Sequence, residues 1–331
     1  MEQKTFALKG NIIYTKERTR FEVMEQGWLV CEEGRVRDVY SVLPEELKGI
    51  PVEDMGNRLI IPGLTDLHIH APQYTFRSLG MDMELLEWLE TNTFPEESKY
   101  KDAEYAQKAY GMFAEQLKKS ATVRACIFGT IHNEATLILM DLLEEAGLHT
   151  MVGKVNMDRN SPDYLCEPSA QATREWLKAV ADRKYKHTRP ILTPRFTPSC
   201  TDELMELLKE IQTETHLPMQ SHLSENPGEI AWVKELCPWS EFYGDAYDKF
   251  GLFGGDCPTV MAHCVYSGKE EMALMKEKGV FVAHCPESNT NLSSGVAPVR
   301  QYLEEGLHVG LGSDVAGGST ENLFTAMSQA I

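Results

Sequence analysis

The chain has 331 residues, of which 42% are hydrophobic and 25% are charged, and its formal net charge is −18. This length and apolar content suffice for one large or two ordinary domains and exclude a disordered or fibrous chain. The acidic balance argues against a nucleic-acid partner, because nucleic-acid surfaces depend on clustered Lys and Arg. The sequence shows neither a signal-peptide pattern at its start nor a membrane-length apolar run, so we expect no membrane partner and a cytoplasmic location.

Residues 1–58 contain short β-type runs separated by turn signals. The runs "FALKGNIIYT" and "GWLVCEEGRVRDVY" enclose turn residues such as Glu33-Gly34, and helical periodicity is absent before "LPEELKG". This texture predicts a small antiparallel β unit. We therefore expect residues 1–58 to form the N-terminal part of a small β-sandwich.

Residues 59–331 alternate apolar runs with segments of helical period. Eight runs occur, at 59–70, 122–130, 149–157, 189–196, 217–225, 259–266, 279–286 and 308–314. Helical segments between them include 134–147, 169–185, 201–216 and 269–279. Strands that alternate with helices predict a parallel sheet, and eight of them favour an α/β fold of the (β/α)8 TIM-barrel type. A doubly wound open sheet is the alternative, but no G-x-G-x-x-G or G-K-[ST] loop supports it.

The first barrel strand carries polar residues at alternate positions. With a period of two, Asp66, His68 and His70 share one face, whereas Leu67 and Ile69 point toward the covering helices. Since catalytic groups of such barrels gather at the C-terminal ends of the strands, both histidines are candidates for a functional site.

Three further strands end in polar residues that suit the same site. Strand 5 ends with His222, strand 6 with His263, and strand 8 with Asp314, which shares a face with Gly310 and Gly312. Imidazole nitrogens and a carboxylate suit zinc and, nearly as well, iron. A lone histidine at a strand end is more often structural, but four strands that end this way at one mouth favour a metal site. Five other histidines fit helices, loops or strand starts and are interpreted as structural: His132, His149, His187, His216 and His308. The role of His284, at the end of strand 7, stays open.

Four residues beside these positions are candidates for catalysis and substrate binding. Glu225 follows His222 by three residues and can act as an acid or base without ligating the metal. Its alternative role is that of a solvated loop residue or a helix cap. Arg195 offers a planar set of donors, Phe196 can stack on a ring, and the Gln73 amide can both donate and accept. Outside a barrel mouth, these three would be ordinary surface residues.

The chain resembles the amidohydrolase superfamily and, within it, the guanine deaminase family. The motifs that carry this resemblance occur in order over nearly the whole chain: "PGLTDLHIHAPQY", "LLEWLETNTFPEE", "TPRFTPSC", "QSHLSEN", "MAHCVY", "AHCPESNTNLSSG" and "GLGSDVAGG". The metal motifs are shared by many amidohydrolases and indicate only the superfamily. "WLETNTFPEE" and "TPRF" are more specific and indicate the guanine deaminase family.

The resemblance implies hydrolysis of guanine to xanthine and ammonia, by attack of zinc-bound hydroxide on C2 of the ring. It implies one Zn²⁺ per chain, with Fe²⁺ as the alternative, held by His68, His70, His222 and Asp314. It implies catalytic roles for Glu225, Asp314 and His263, with the first two as proton shuttles and the third orienting the water. Purine binding is implied for Gln73, Arg195, Phe196, His222 and Glu225. Asp66 could orient His68 as an acceptor or could be structural.

Members of this superfamily continue past the strand 8 motif, so we expect the C-terminal end of the barrel to be missing from residues 59–331. The strands that would complete the small β unit are expected to be missing with it. We expect a homodimer that acts on a small purine. The alternatives are another amidohydrolase that is a deaminase or chlorohydrolase of a related nitrogen heterocycle, and a non-catalytic scaffold on the same barrel.

Overall fold

The computed structural model describes residues 5–17 and 19–331, and the chain divides into two compact units at Gly63/Leu64. The first unit is a four-stranded sheet in the order β3-β2-β1-β4. Its strands are β1 (Phe6–Glu17), β2 (Arg20–Glu32), β3 (Arg35–Tyr40) and β4 (Val52–Ile60). The last of these continues past residue 58, where the sequence placed the end of the β unit.

The predicted antiparallel β unit is only partly correct. β2 pairs antiparallel with β1 and with β3, and the turn between β2 and β3 is formed by Glu33 and Gly34, both with positive φ. β4, however, pairs parallel with β1, so the sheet is mixed. Since β2 and β3 separate these two strands along the chain, no tight turn forces them to run in opposite directions.

The second unit contains all eight predicted strands of a (β/α)8 barrel, two of them interrupted. The third predicted strand is β7 with β8, and the fourth is β9 with β10. The strands are β5 (Leu64–His70), β6 (Thr122–Phe128), β7 (His149–Gly153), β8 (Val155–Asn156), β9 (Thr188–Pro190), β10 (Thr193–Pro194), β11 (Met219–Leu223), β12 (Thr259–His263), β13 (Phe281–His284) and β14 (His308–Leu311).

Parallel pairing and backbone hydrogen bonds join these strands into a closed ring. The paired groups are β5-β6-β7-β9, β8-β10 and β11-β12-β13-β14. The Gln220 N–H donates to the Leu192 carbonyl at 2.9 Å and links the fourth strand to β11. The Asp314 N–H donates to the His68 carbonyl at 2.8 Å and closes the ring between the eighth and first strands. This closure confirms the barrel over the doubly wound open sheet.

Helices follow the strands as the periodicity predicted. They are α1 (Leu85–Trp88), α2 (Phe94–Glu97), α3 (Ala103–Lys119), α4 (Asn133–Ala146), α5 (Ser169–Arg183), α6 (Asp202–Thr215), α7 (Pro227–Leu236), α8 (Asp245–Asp248), α9 (Lys269–Lys278), α10 (Pro286–Asn291), α11 (Val299–Glu305) and α12 (Leu323–Gln329). Within the described residues, no helix has both the length and the apolar character needed to cross a bilayer.

Apolar helix faces and the strands form the core of the second unit. Leu139 and Leu143 of α4 belong to one buried cluster with Ile127 of β6 and Val152 of β7, and all four are 0% exposed. Burial of each such side chain contributes roughly 1.5–3 kcal/mol. This packing fixes the strands, and therefore the direction in which their polar C-terminal residues point.

A bulge in β5 changes the predicted alternation of its side chains. The register against β6 shifts between Asp66 and Ile69, so two residues of β5 lie opposite one residue of β6. The prediction that Leu67 faces the helices is wrong. Leu67 instead lines a cavity with Thr65, and the absent side chain of Gly310 leaves room for it. Ile69 lies in the buried cluster that includes the helix faces, so His68 and His70 on either side of it keep the shared face that alternation predicted.

Candidate active site

His68 and His70 lie close together at the end of β5. Both rings contact Phe128, whose ring centroid lies 4.9 Å from that of His68 and 4.5 Å from that of His70. A side chain at Gly312 would come within 2.8 Å of the His68 Cβ, so glycine leaves the space in which His68 sits. The two histidines are 1% and 3% exposed.

Unusual backbone conformations aim two other predicted site residues at these histidines. His222 pairs with Ala262 and Leu223 with His263, so alternation alone would give His263 the same direction as Leu223. His263 has a φ of 71°, in the left-handed region, which breaks the alternation. Asp314, with a φ of 48°, is held in the same region. Such strain in non-glycine residues is concentrated at functional sites.

Three imidazole nitrogens and one carboxylate oxygen converge in the barrel mouth. His70 Nε2 lies 3.2 Å from His222 Nε2, and Asp314 Oδ1 lies 3.2 Å from His68 Nε2 and 3.7 Å from His70 Nε2. Apart from this contact with Asp314, which lacks hydrogen-bond geometry, the buried His68 Nε2 has no hydrogen-bond partner among the described residues. Ligand atoms about 2.0–2.1 Å from a tetrahedral metal are roughly 3.3 Å apart. The donor set and its spacing therefore fit a single metal ion.

The electrostatics of the cluster also suit a metal. Burial holds the pKa values of His70 and His222 well below the ordinary histidine value, so both rings are neutral at neutral pH. Neutral imidazole is the form that binds metals. Burial opposes ionisation of Asp314, but the neighbouring His68 and His263 rings outweigh it, and the pKa of Asp314 is lowered. The Ser288 hydroxyl donates to its carboxylate.

Glu225 lies beside the cluster, in the loop that leaves β11. It is 2% exposed, and its Oε2 lies 3.4 Å from His263 Nε2. Burial and the nearby negative charge of Asp314 raise its pKa well above the ordinary carboxyl value. A carboxyl group with a raised pKa holds a proton more readily than an exposed one, which suits it to act as a general acid.

A buried amide orients the His263 ring. Nδ1 of His263 lies 2.8 Å from the side-chain oxygen of Asn289, which can only accept a hydrogen bond. The proton of a neutral His263 ring is therefore on Nδ1, and the lone pair of Nε2 faces Glu225 and Asp314, at 3.4 and 3.8 Å.

The predicted substrate-binding residues line one pocket above the cluster. Gln73, Arg195 and Phe196 are 2%, 2% and 5% exposed, so none is an ordinary surface residue. The Gln73 carbonyl accepts from the Ala316 N–H at 3.2 Å. The complete lining is His70, Gln73, Leu85, Trp88, Leu89, Arg195, Phe196, His222, Glu225, Glu229, His263, Leu292 and Asp314.

Several residues of this site were not identified from the sequence. Glu97 contacts both Gln73 and Arg195, and Glu229 accepts the backbone N–H groups of Glu225 and Asn226. Four residues that form an apolar wall of the pocket were also missed: Leu85, Trp88, Leu89 and Leu292. So was the thiol of Cys285, which lies within 4.8 Å of ligand atoms of the cluster. Two motifs carried a signal for most of these residues. "LLEWLETNTFPEE" supplies Glu97, Leu85, Trp88 and Leu89, and "AHCPESNTNLSSG" supplies Cys285 and Leu292.

Other residues considered from the sequence lie outside the cluster. The Asp66 carboxylate accepts from the backbone N–H groups of His68 and Ser313 and not from the His68 ring, so it joins two strands. His284 is buried but does not line the pocket. The histidines interpreted as structural do not line it either: His132, His149, His187, His216 and His308.

A closed parallel barrel with a buried His/Asp donor cluster at its C-terminal mouth defines a metal-dependent hydrolase of the barrel class. The sequence profile of the amidohydrolase family matches residues 59–331. The chain belongs to this family.

Its relatives include proteins with a named activity. It is 38% identical to the guanine deaminase of Dictyostelium discoideum, over 98% of this chain and 76% of that protein. It is 38% identical to the guanine deaminase of Mus musculus, over 97% of this chain and 68% of that protein. A crystal structure of guanine deaminase from C. acetobutylicum with bound guanine in the active site superposes with a TM-score of 0.96 and 48% identity, covering 99% of this chain and 78% of that chain.

Proposed function

We propose that the chain hydrolyses guanine to xanthine and ammonia. The observation that carries this proposal is that a metal-type donor cluster and a pair of ring-recognition side chains, Gln73 and Arg195, face the same narrow pocket. The guanine deaminases of Dictyostelium discoideum and Mus musculus and the guanine-bound structure from C. acetobutylicum support the choice of guanine. The C2 amino group is the leaving group in this reaction.

His68, His70, His222 and Asp314 would hold one zinc ion, or iron as the alternative. The orphaned Nε2 atom of His68 and the 3.2 Å spacing of the facing His70 and His222 nitrogens support this ligand set. When bound, such a metal lowers the pKa of a water from 15.7 to about 7, which provides the nucleophile at neutral pH.

The protein side chains carry the protons of the reaction. Asp314, whose carboxylate stays ionised, accepts a proton from the attacking water. Glu225, whose pKa is raised by burial, donates a proton to the ring nitrogen beside C2. Asp314 then passes its proton to the amino group at C2, so the C–N bond breaks and ammonia leaves. The hydroxyl proton on C2 returns to Glu225 as the carbonyl of xanthine forms, which restores both carboxyl groups. His263 keeps its Nε2 toward both carboxylates because Asn289 fixes the ring.

The pocket walls bind and orient the purine. Arg195 provides unused N–H donors for the ring carbonyl, and Phe196 provides a flat apolar face. The ring edge that faces the metal site lies against Gln73, His222 and Glu225. The apolar wall around Trp88 excludes water from the ring, which strengthens each polar contact inside.

Three broader assignments complete the proposal. The barrel is the catalytic domain, and the N-terminal β unit is a non-catalytic domain. The enzyme is a homodimer, which sedimentation of the purified chain tests directly. It acts in the cytoplasm, which fractionation of cells tests.

The central experiment loads the purified chain with zinc and incubates it separately with guanine, adenine, cytosine and a chlorotriazine. Chromatography of the products and ammonia release should show xanthine from guanine and far slower turnover of the other rings. His70→Ala should abolish the activity, whereas His216→Ala, at an exposed site away from the pocket, should not. Preferred turnover of another heterocycle would favour a different amidohydrolase. Absence of all turnover in a metal-loaded, folded sample would favour a scaffold.

A further inference from the structure

The motif "LLEWLETNTFPEE" ends in two adjacent buried carboxylates with different partners. Glu96 and Glu97 close α2 and are 7% and 1% exposed. Glu96 accepts from Thr75 at 2.7 Å and Lys99 at 2.6 Å, and from the Tyr105 hydroxyl, all outside the pocket. The partners of Glu97 both line the pocket.

Glu97 bridges the two polar side chains of the pocket wall. Its Oε1 accepts from Gln73 Nε2 at 3.1 Å, and its Oε2 accepts from an Arg195 guanidinium nitrogen at 2.6 Å. Gln73 and Arg195 are each 2% exposed, and the Phe94 ring lies 5.3 Å from the Arg195 guanidinium carbon. One carboxylate thus fixes both groups in a site that excludes bulk water.

This bridge determines the direction of the Gln73 amide. Its Nε2 donates to Glu97 while its oxygen accepts from the Ala316 N–H at 3.2 Å. A flipped amide would lose both bonds. Its oxygen would then face the Glu97 carboxylate, and its N–H groups would face the Ala316 N–H. The amide therefore presents a fixed pattern of one free N–H and one free lone pair to a ring edge.

The bridge also balances the charge of Arg195. A buried guanidinium without a counter-ion would attract any anion strongly, because little water screens it. With one guanidinium nitrogen of Arg195 donating to Glu97 Oε2 at 2.6 Å, the two charges balance, and the guanidinium keeps further N–H donors for a ligand. A neutral donor wall favours an uncharged ring carbonyl over an anionic ring.

We propose that Glu97 is a positioning and specificity-determining residue, which holds Gln73 and Arg195 for a neutral purine lactam and disfavours purine anions. This inference rests on the proposed deamination of guanine. Two separate effects follow from it. The geometry of the bridge sets the rate with guanine, and its charge sets the discrimination against anions.

The test compares guanine turnover with binding of urate, a purine that is a monoanion at neutral pH and has no amino group at C2. Glu97→Gln removes the negative charge, and kcat/KM for guanine should fall roughly 10²-fold, as when one partner of a buried charge pair is lost. Inhibition by urate should tighten about 10-fold. Calorimetric binding of urate to the same samples checks the inhibition constants without relying on turnover.

Two further variants keep the test decisive, because loss of a buried partner can also destabilise the fold. Glu97→Asp keeps the charge but shortens the side chain, so guanine turnover should fall about 10-fold while urate binding stays unchanged. Glu96→Gln, the adjacent buried carboxylate, should lower thermal stability without changing the preference between guanine and urate. If Glu97→Gln does not fold, Glu97→Asp alone tests the proposed role of Glu97, because guanine turnover should fall in this variant while urate binding stays unchanged.

The outcomes separate this inference from the proposed function. If the unsubstituted, zinc-loaded chain does not deaminate guanine, the proposed function fails. If that chain is active and Glu97→Gln keeps both its guanine kcat/KM and its weak urate binding, only the role of Glu97 is overturned. Equal losses with guanine and urate in both Glu97 variants would also overturn it, because they would indicate a merely structural role.

Discussion

The Nδ1 atom of His222 lies 2.6 Å from the backbone carbonyl oxygen of Arg195. A carbonyl can only accept, so the His222 proton is on Nδ1 and the lone pair of Nε2 faces the donor cluster. Arg195 thus serves the site in two ways, because its backbone orients a proposed metal ligand while its side chain enters the pocket. The two roles can be separated by changing the side chain alone.

Arg195→Lys should keep the metal and lose substrate recognition. The backbone carbonyl that orients His222 remains, so metal content should match that of the unsubstituted chain. Lysine replaces the planar donor fork with a point charge, which cannot pair with Glu97 and the ring carbonyl in the same geometry. Because a buried polar group is then left unpaired, kcat/KM for guanine should fall roughly 10²-fold or more. Elemental analysis and steady-state kinetics measure the two effects, with the exposed Arg174→Lys as the control. Unchanged kcat/KM would mean that another residue reads the purine.

The barrel was predictable because its signal is local. Each apolar run is followed by an amphipathic segment, and these patterns decide strand and helix without any distant contact. The residues that end the runs, such as His222 and Asp314, were therefore placed at one mouth by topology alone. The short interruptions within two strands, such as that between β7 and β8, leave the apolar pattern intact and could not be seen in it.

The details of the site depend on features that periodicity does not contain. The bulge in β5 reversed the expected direction of Leu67, and the left-handed φ of His263 altered its direction within β12. Neither position is a glycine, so no residue type there indicates an unusual backbone conformation. Glu97 was missed because its partners, Gln73 and Arg195, are 24 and 98 residues away along the chain. Only the folded structure brings such distant groups together.

Metal content is a second testable property of the cluster. The folded chain should contain about one zinc or iron per molecule, because convergent buried donors are costly to leave unpartnered. His68→Ala removes the orphaned ring nitrogen and should reduce that stoichiometry to near zero, whereas exposed His216→Ala should leave it unchanged. Elemental analysis of samples purified without chelators gives the values. A metal-free unsubstituted chain that is properly folded would contradict the proposed ligand set.

Glu225→Gln should separate metal binding from turnover. The substitution removes a proton carrier but leaves His68, His70, His222 and Asp314 in place, so the metal should be retained. Turnover of guanine should fall roughly 10²–10⁴-fold, the usual contribution of a general acid or base. Metal analysis and kcat measured on the same preparation test both statements together. Full activity in this variant would make Glu225 a loop residue without a catalytic role.

A second buried carboxylate lies directly behind Glu225. Glu229 is 0% exposed, and its Oε2 accepts the Glu225 N–H at 3.1 Å while its Oε1 accepts from the Tyr243 hydroxyl at 2.8 Å. Burial raises the pKa of Glu229 from 4.5 to about 7. The folded protein therefore holds a proton at this residue under conditions in which the unfolded chain releases it.

This raised pKa predicts how stability changes with pH. Below pH 4.5, Glu229 is protonated in both the folded and the unfolded state. Between pH 4.5 and about 7, only the folded state keeps the proton. The free energy of unfolding therefore falls as the pH rises through this range. Glu229→Gln cannot ionise and lacks this loss. Urea unfolding of metal-loaded samples from pH 5 to pH 8 should therefore show the unsubstituted chain losing stability relative to the variant. Glu235→Gln, an exposed change in the same helix, should follow the unsubstituted chain. Parallel pH profiles for the unsubstituted chain and Glu229→Gln would show that Glu229 is ionised throughout this range.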